Sequence, residues 1–115
     1  MGITQDRGRE AEDRAAAWLA DRGLQLLARN YRCRGGEIDL VMRDASHLVF
    51  VEVRYRSRND FGGALSSVGP AKQRRLLLAA QHYLARNGWT GPCRFDVVGF
   101  EHDGKAHWIR DAFGA

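Results

Sequence analysis

The stretch that decides the fold is Gly36-Glu37-Ile38-Asp39-Leu40-Val41-Met42-Arg43, followed after a short polar turn by Leu48-Val49-Phe50-Val51-Glu52-Val53-Arg54-Tyr55. In the first segment Ile38, Leu40 and Met42 alternate with Glu37, Asp39 and Val41, which is the period of a β-strand. The second alternates as well, with Leu48, Phe50, Glu52 and Arg54 on one face and Val49, Val51, Val53 and Tyr55 on the other. Both of its faces are largely apolar, which predicts a central strand. Asp44-Ala45-Ser46-His47 supplies the turn between the two. With Ala45 and Ser46 at the tip, Asp44 pairs with His47, and counting back sets Asp39 directly opposite Glu52. Residues so placed project on one face, with Cβ atoms about 5 Å apart. A slip of one residue would put Val51 opposite Asp39 and dissolve the pair.

Outward from this hairpin, Asp6 to Asp21 reads as a helix, with Ala11, Ala15, Trp18 and Leu19 at helical spacing and Gly23 as its stop. Leu24 to Tyr31 reads as a strand. Downstream, Asn59 to Gly69 is polar and contains glycine, the composition of a loop. Pro70 suits the first turn of a second helix. That helix runs to about Arg86, with Leu76, Leu77, Ala80, Tyr83 and Leu84 as its buried stripe and Asn87-Gly88 as its end. Arg94 to Glu101 and His107 to Arg110 read as strands joined by a turn at His102 to Lys105. The order α-β-β-β-α-β-β predicts an α/β protein, a mixed β-sheet flanked by helices. At 115 residues the expectation is a single domain over 1–115. A chain of this size buries a core without disulfides or a structural metal.

Lysine and arginine total 18 against 14 acids, a net charge of +4, which mildly favours polyanionic partners. Cys33 and Cys93 form no CxxC or Cys/His spacing, so two reduced, partly buried thiols are expected. Met1 to Glu10 is polar and charged, and no run is apolar enough to span a bilayer. A cytoplasmic protein without membrane association is therefore expected. His47, His82, His102 and His107 show no ligand spacing.

Two carboxylates forced together repel unless a cation or a proton separates them. Hard oxygen ligands of this kind suit Mg²⁺ or Mn²⁺, which keep several waters and meet a substrate phosphate. The structural alternative is a local hydrogen bond for Asp39 and an ion pair between Glu52 and Arg54. Against it, Glu52 shares a face with Leu48 and Phe50, where an unpaired carboxylate is costly.

The blocks Gly36-Glu37-Ile38-Asp39-Leu40, Val49-Phe50-Val51-Glu52-Val53-Arg54-Tyr55-Arg56, Lys72-Gln73 and Arg94-Phe95-Asp96-Val97-Val98, in this order and spacing, closely resemble the YraN-like family. That family is similar to archaeal Holliday-junction resolvases of the PD-(D/E)XK nuclease superfamily. The resemblance implies a restriction-endonuclease-like core and a metal-dependent endonuclease-like protein acting on DNA, with branched or damaged structures as candidate substrates. Asp39 and Glu52 would bind Mg²⁺ or Mn²⁺ with the backbone carbonyl of Val53. Glu12, one turn before Ala15 and Ala16, would match the extra acid of resolvase-like members; a solvated helix charge is its alternative. Asp39, Glu52 and Arg54 would form the catalytic set.

The superfamily pattern ends in lysine where this chain has Arg54. Arginine stays charged and cannot act as a base, though it can neutralise charge on a phosphate. A non-catalytic nucleic-acid-binding module on a nuclease scaffold is therefore the rival reading, and an interaction subunit with purely structural acids is a third. Arg34, Arg56, Arg58, Lys72 and Arg75, with Arg32 and Arg74 beside them, would contact the DNA backbone. Gln73 would hydrogen-bond a phosphate or the attacking water. A lysine at a helix start is locally unfavourable, which points to a use for Lys72. Asp96 is open to a structural or a catalytic role. Resolvases of this type act as dimers because a four-way junction carries two symmetric cuts, so the resemblance admits a homodimer.

Overall fold

The computed structural model describes residues 3–55, 68–101 and 103–114. In chain order its elements are α1 (Ile3–Ala20), β1 (Gln25–Cys33), β2 (Gly36–Arg43), β3 (Leu48–Tyr55), α2 (Pro70–Asn87), β4 (Cys93–Phe100) and β5 (Ala106–Phe113). The five strands form one sheet in the order β1-β2-β3-β4-β5. All neighbours run antiparallel except β3 and β4, which are parallel. A parallel pair needs a crossover, and α2 provides it. The chain is thus α/β with a mixed sheet, in the order expected from its pattern.

The core lies on both faces of the sheet. Leu48 and Phe50 of β3 face α2, packing with Leu76, Ala80 and Tyr83. Val49 and Val51 face α1, packing with Ala11, Ala15 and Leu19. A strand buried on both sides sits in the middle of its sheet, as β3 does. Each large side chain so buried, such as Phe50, contributes about 2 kcal/mol.

Local signals act as their chemistry dictates. Gly23 (φ 95) follows α1 and Gly88 (φ 66) follows α2, both in the left-handed region that glycine enters without steric cost. The Gly88 N–H donates to the Leu84 carbonyl at 2.9 Å, closing α2. Gly36 has a different task. A Cβ there would collide with the Arg75 carbonyl oxygen and stand 2.9 Å from the Ala79 nitrogen. Only glycine lets the start of β2 press onto the backbone of α2.

Several expectations need correction. Ile38 does not share a side with Leu40 and Met42. It packs with Val41 in the cluster beneath α2, whereas Leu40 and Met42 pack beneath α1. The alternation breaks at Asp39. The neighbouring Asn30 of β1 has φ 50, and neither residue takes part in the β1–β2 register, which passes from Arg29↔Leu40 to Tyr31↔Ile38. In α2 the buried stripe is Leu76, Ala79, Ala80 and Tyr83, with Leu77 and Leu84 half-buried. The close approach of Gly36 draws Ala79 inward. Cys33 is half-buried as expected, but Cys93 is exposed at the start of β4; both thiols are free. Arg56, Arg58, His102 and the Asn59 to Ser67 part of the expected loop lie outside the described residues. Among those described, no helix is long and apolar enough to cross a membrane.

Candidate functional site

The site is built from the turn upward. The Asp44 side chain accepts hydrogen bonds from the backbone N–H groups of Ser46 (2.9 Å) and His47 (2.7 Å), and the Asp44 N–H donates to the His47 carbonyl at 3.0 Å. The His47 N–H and the other donors around it hold the Asp44 carboxyl well below the usual carboxylate range. This closed turn fixes the register: Arg43 pairs with Leu48, Met42 with Val49, Val41 with Phe50, and Leu40 with Val51. The next pair in that count is Asp39 and Glu52.

At that point the ladder changes character. Asp39 Oδ2 accepts the Val53 N–H at 2.9 Å, a side chain taking the donor of the neighbouring strand. In an extended strand the N–H and C=O of one residue leave on the same side, so the Val53 carbonyl also leaves β3 toward β2. Asp39 is 9% exposed and Glu52 only 3%. One Glu52 oxygen, Oε2, faces two cations: Arg54 Nη2 at 3.2 Å and Lys72 Nζ, from α2, at 3.7 Å. Among the described residues no donor meets the other oxygen, Oε1, which is buried, and no acceptor meets the buried Arg54 Nε.

Electrostatics follow from this geometry. Burial pushes the Glu52 carboxyl up to about 8, with the Asp39 carboxylate adding to it and Lys72 and Arg54 pulling the other way. Glu12 is raised too, first by burial and then by Asp39, against a hydrogen bond from Asn30 and the charge of Arg29. Asp39 is therefore the centre of a chain of acids: it acts on Glu12 from α1 and on Glu52 from β3. The break in alternation at Asp39 lets an acid beneath α1 and an acid beneath α2 feel the same carboxylate. As they stand, no three His, Cys, Asp or Glu side chains among the described residues converge tightly enough to grip a metal ion.

The expected basic residues divide. Arg54 and Lys72 join the acids. Arg75 Nη2 lies 3.7 Å from Glu37 Oε1, and Arg32 Nε lies 3.9 Å from Glu37 Oε2, forming a second group beside the first. Arg34 is exposed in the turn between β1 and β2. Gln73 donates its side-chain amide to the Val68 carbonyl at 3.0 Å, a bond that shapes the entry into α2. Asp96 stands apart. Its β3 neighbour in register is Val51, so it faces α1 rather than the Glu52 side. It accepts from Arg94 Nε (3.0 Å), Trp108 Nε1 (2.9 Å) and the Asp111 N–H (3.0 Å), partners that tie β4 to β5.

Sequence reasoning missed Asn30 and Glu37. The signal for Asn30 was faint: asparagine is among the few residues at ease with φ > 0, and it interrupts a strand. Glu37 gave none beyond its charge.

A family model described as "Uncharacterised protein family UPF0102" matches residues 11–100. A UPF0102 protein of Cupriavidus necator is 61% identical over 111 residues, covering 96% of this chain and 84% of that protein. One from Janthinobacterium is 55% identical over 108 residues, covering 94% of this chain and 87% of its own length. One from Nitrosococcus oceani is 54% identical over 114 residues, covering 95% and 92%. The matches take in the Gly36–Leu40 and Val49–Arg56 blocks, both within the matched range.

Proposed function

The chain belongs to the UPF0102 family, the YraN group related to the PD-(D/E)XK nuclease superfamily, and from that premise we propose that it is a Mg²⁺- or Mn²⁺-dependent endonuclease acting on DNA, branched or damaged structures included. The observation that carries this reading is Glu52 Oε1, buried and met by no hydrogen-bond donor among the described residues. A carboxylate oxygen buried without a partner, beside a second carboxylate, is a costly arrangement that a cation would relieve.

The donor set fits such an ion. Asp39 and Glu52 offer hard oxygens, and a cation of this type needs only one or two carboxylates, with waters and substrate phosphate completing its shell. The lack of a three-acid cage among the described residues is compatible with that mode. The Val53 carbonyl is a further oxygen on the β2 side of β3. Once bound, the cation would draw charge from the phosphodiester and acidify a water. Arg54 keeps its charge at any working pH and stabilises negative charge growing on the phosphate. Glu12 strengthens the acidic field through Asp39. Arg34, Arg56, Arg58 and Arg75 hold the DNA backbone, a role that positions without reading sequence. Two copies would serve the two symmetric strands of a four-way junction.

Cutting of labelled four-way, flapped, single-stranded and duplex DNA by the purified protein tests the reading. Cleavage should require Mg²⁺ or Mn²⁺ and vanish in Asp39→Asn and Glu52→Gln. One observation favours a second reading, a non-catalytic DNA-binding module: Arg54 already occupies Glu52 Oε2. Binding that weakens steeply with salt, without cutting under any metal, would select it. Loss of both binding and cutting would remove the two together.

A further inference from the structure

Arg54 leaves the site without the lysine that related nucleases place two residues after the second acid. A lysine is nevertheless present. Lys72 reaches Glu52 Oε2 from the first turn of α2, and Arg54 meets the same oxygen. The two cations are not equivalent. Arg54 is a planar fork whose Nε is buried without a partner among the described residues. Lys72 is a point charge on a flexible stem, 24% exposed, and it touches Glu52 more loosely. It can turn away from Glu52 without leaving the site.

The helix does not explain this lysine. The first turn of α2 has no acid and no side-chain cap, and a cation there faces the positive end of the helix dipole. Glu52 Oε2 is the acceptor that faces it, so the position of Lys72 is accounted for by the site.

Resting on the nuclease reading, we infer that Lys72 is the ammonium group that meets the scissile phosphate, supplied from α2 in place of a lysine at position 54, and that it competes with a divalent cation for Glu52 Oε2. With a cation held by Asp39 and Glu52, Lys72 would be free to turn from the carboxylate to a phosphate oxygen. It keeps its proton throughout. The water oxygen joins phosphorus, and the bond from phosphorus to the leaving sugar oxygen breaks. The proton given up by the water is balanced by one the leaving oxygen takes from solvent.

Two readouts test this: Mn²⁺ affinity without DNA, followed by the paramagnetic resonance of free Mn²⁺, and cutting of a four-way junction. The proteins are wild type, Lys72→Gln and Lys72→Gln/Arg54→Lys, each checked by a melting curve. Lys72→Gln should bind Mn²⁺ about tenfold more tightly, a competing cation having been removed. Its cutting should fall by about a hundredfold or more, the usual loss of a charge-stabilising donor. Adding Arg54→Lys should restore most of the cutting. Unchanged Mn²⁺ affinity and unchanged cutting in Lys72→Gln would overturn the inference and leave the nuclease reading intact. A wild type that binds no Mn²⁺, or binds it and cuts no DNA, would overturn the nuclease reading and the phosphate role of Lys72 with it.

Discussion

Asp96 and Glu52 are both buried acids on the sheet's two central parallel strands, yet their surroundings are opposites. Asp96, on the α1 side, receives Arg94, Trp108 Nε1 and the Asp111 N–H. Glu52, on the α2 side and against the Asp39 carboxyl, has one oxygen crowded by two cations and one that no donor among the described residues meets. Asp96 is held by partners fixed in the fold. Glu52 lies beside a second acid, Asp39, which raises its proton affinity further. A buried acid whose lone pairs are met serves the fold. One left short beside another acid is destabilising on its own, and such under-satisfied groups gather where function needs them.

The largest test of this contrast is Asp96→Ala. It should lower folding stability by about 2–3 kcal/mol, because the Trp108 and Asp111 N–H groups lose their acceptor and Arg94 keeps only Asp44. Urea unfolding measures it. A loss below about 1 kcal/mol would erase the difference between the two acids.

Glu52→Gln should act in the other direction, raising stability by about 1–2 kcal/mol at pH 8 without divalent metal. The effect depends on pH, and its sign is fixed. Burial and Asp39 raise the Glu52 carboxyl from 4.5 to about 8. Between those values the folded protein holds a proton that the unfolded chain has released, so the wild type loses stability as pH rises through the window. The gain from Glu52→Gln should therefore shrink toward zero below the lower value. Asp44 has the opposite sign. Its carboxyl is held low by the His47 N–H and its neighbours, so its contribution disappears as pH falls below the ordinary aspartate range. Unfolding curves across pH, compared between wild type and variant, separate the two. A gain that is the same at pH 4 and pH 8 would show that Glu52 is not under the strain described.

The smallest effect belongs to Arg75→Ala. Its pair with Glu37 is more than half exposed on the arginine side, and its loss should change stability by no more than about 0.5 kcal/mol. A DNA-binding defect at low salt, with folding nearly unchanged, is the expected outcome. A large stability loss would move Arg75 from the nucleic-acid surface to the fold.

What could be read from the sequence follows the range of the forces involved. The turn Asp44–His47 uses contacts between residues three apart, so the register as far as Leu40 opposite Val51 was legible from neighbours alone. Pro70 and Gly88, which bound α2, were legible for the same reason. The kink at Asn30 and the misplaced Ile38 were not, because they depend on how β1 meets β2. Nor was the contact between Lys72 and Glu52, which exists only once the crossover lays α2 on the sheet. Lys72 did leave one trace, its poor fit to a helix start. The surroundings of Asp96 were not legible either, because its donors Trp108 and Asp111 arrive from β5.

The most direct measurement is a calorimetric titration of Mn²⁺ into wild type and Asp39→Asn near pH 8, with folding of both confirmed by melting. The expected result is saturable binding to the wild type, with its Tm raised by the metal, and loss of both effects in Asp39→Asn. Wild-type protein that binds no Mn²⁺, or Asp39→Asn that binds it unchanged, would contradict a metal site at Asp39 and Glu52.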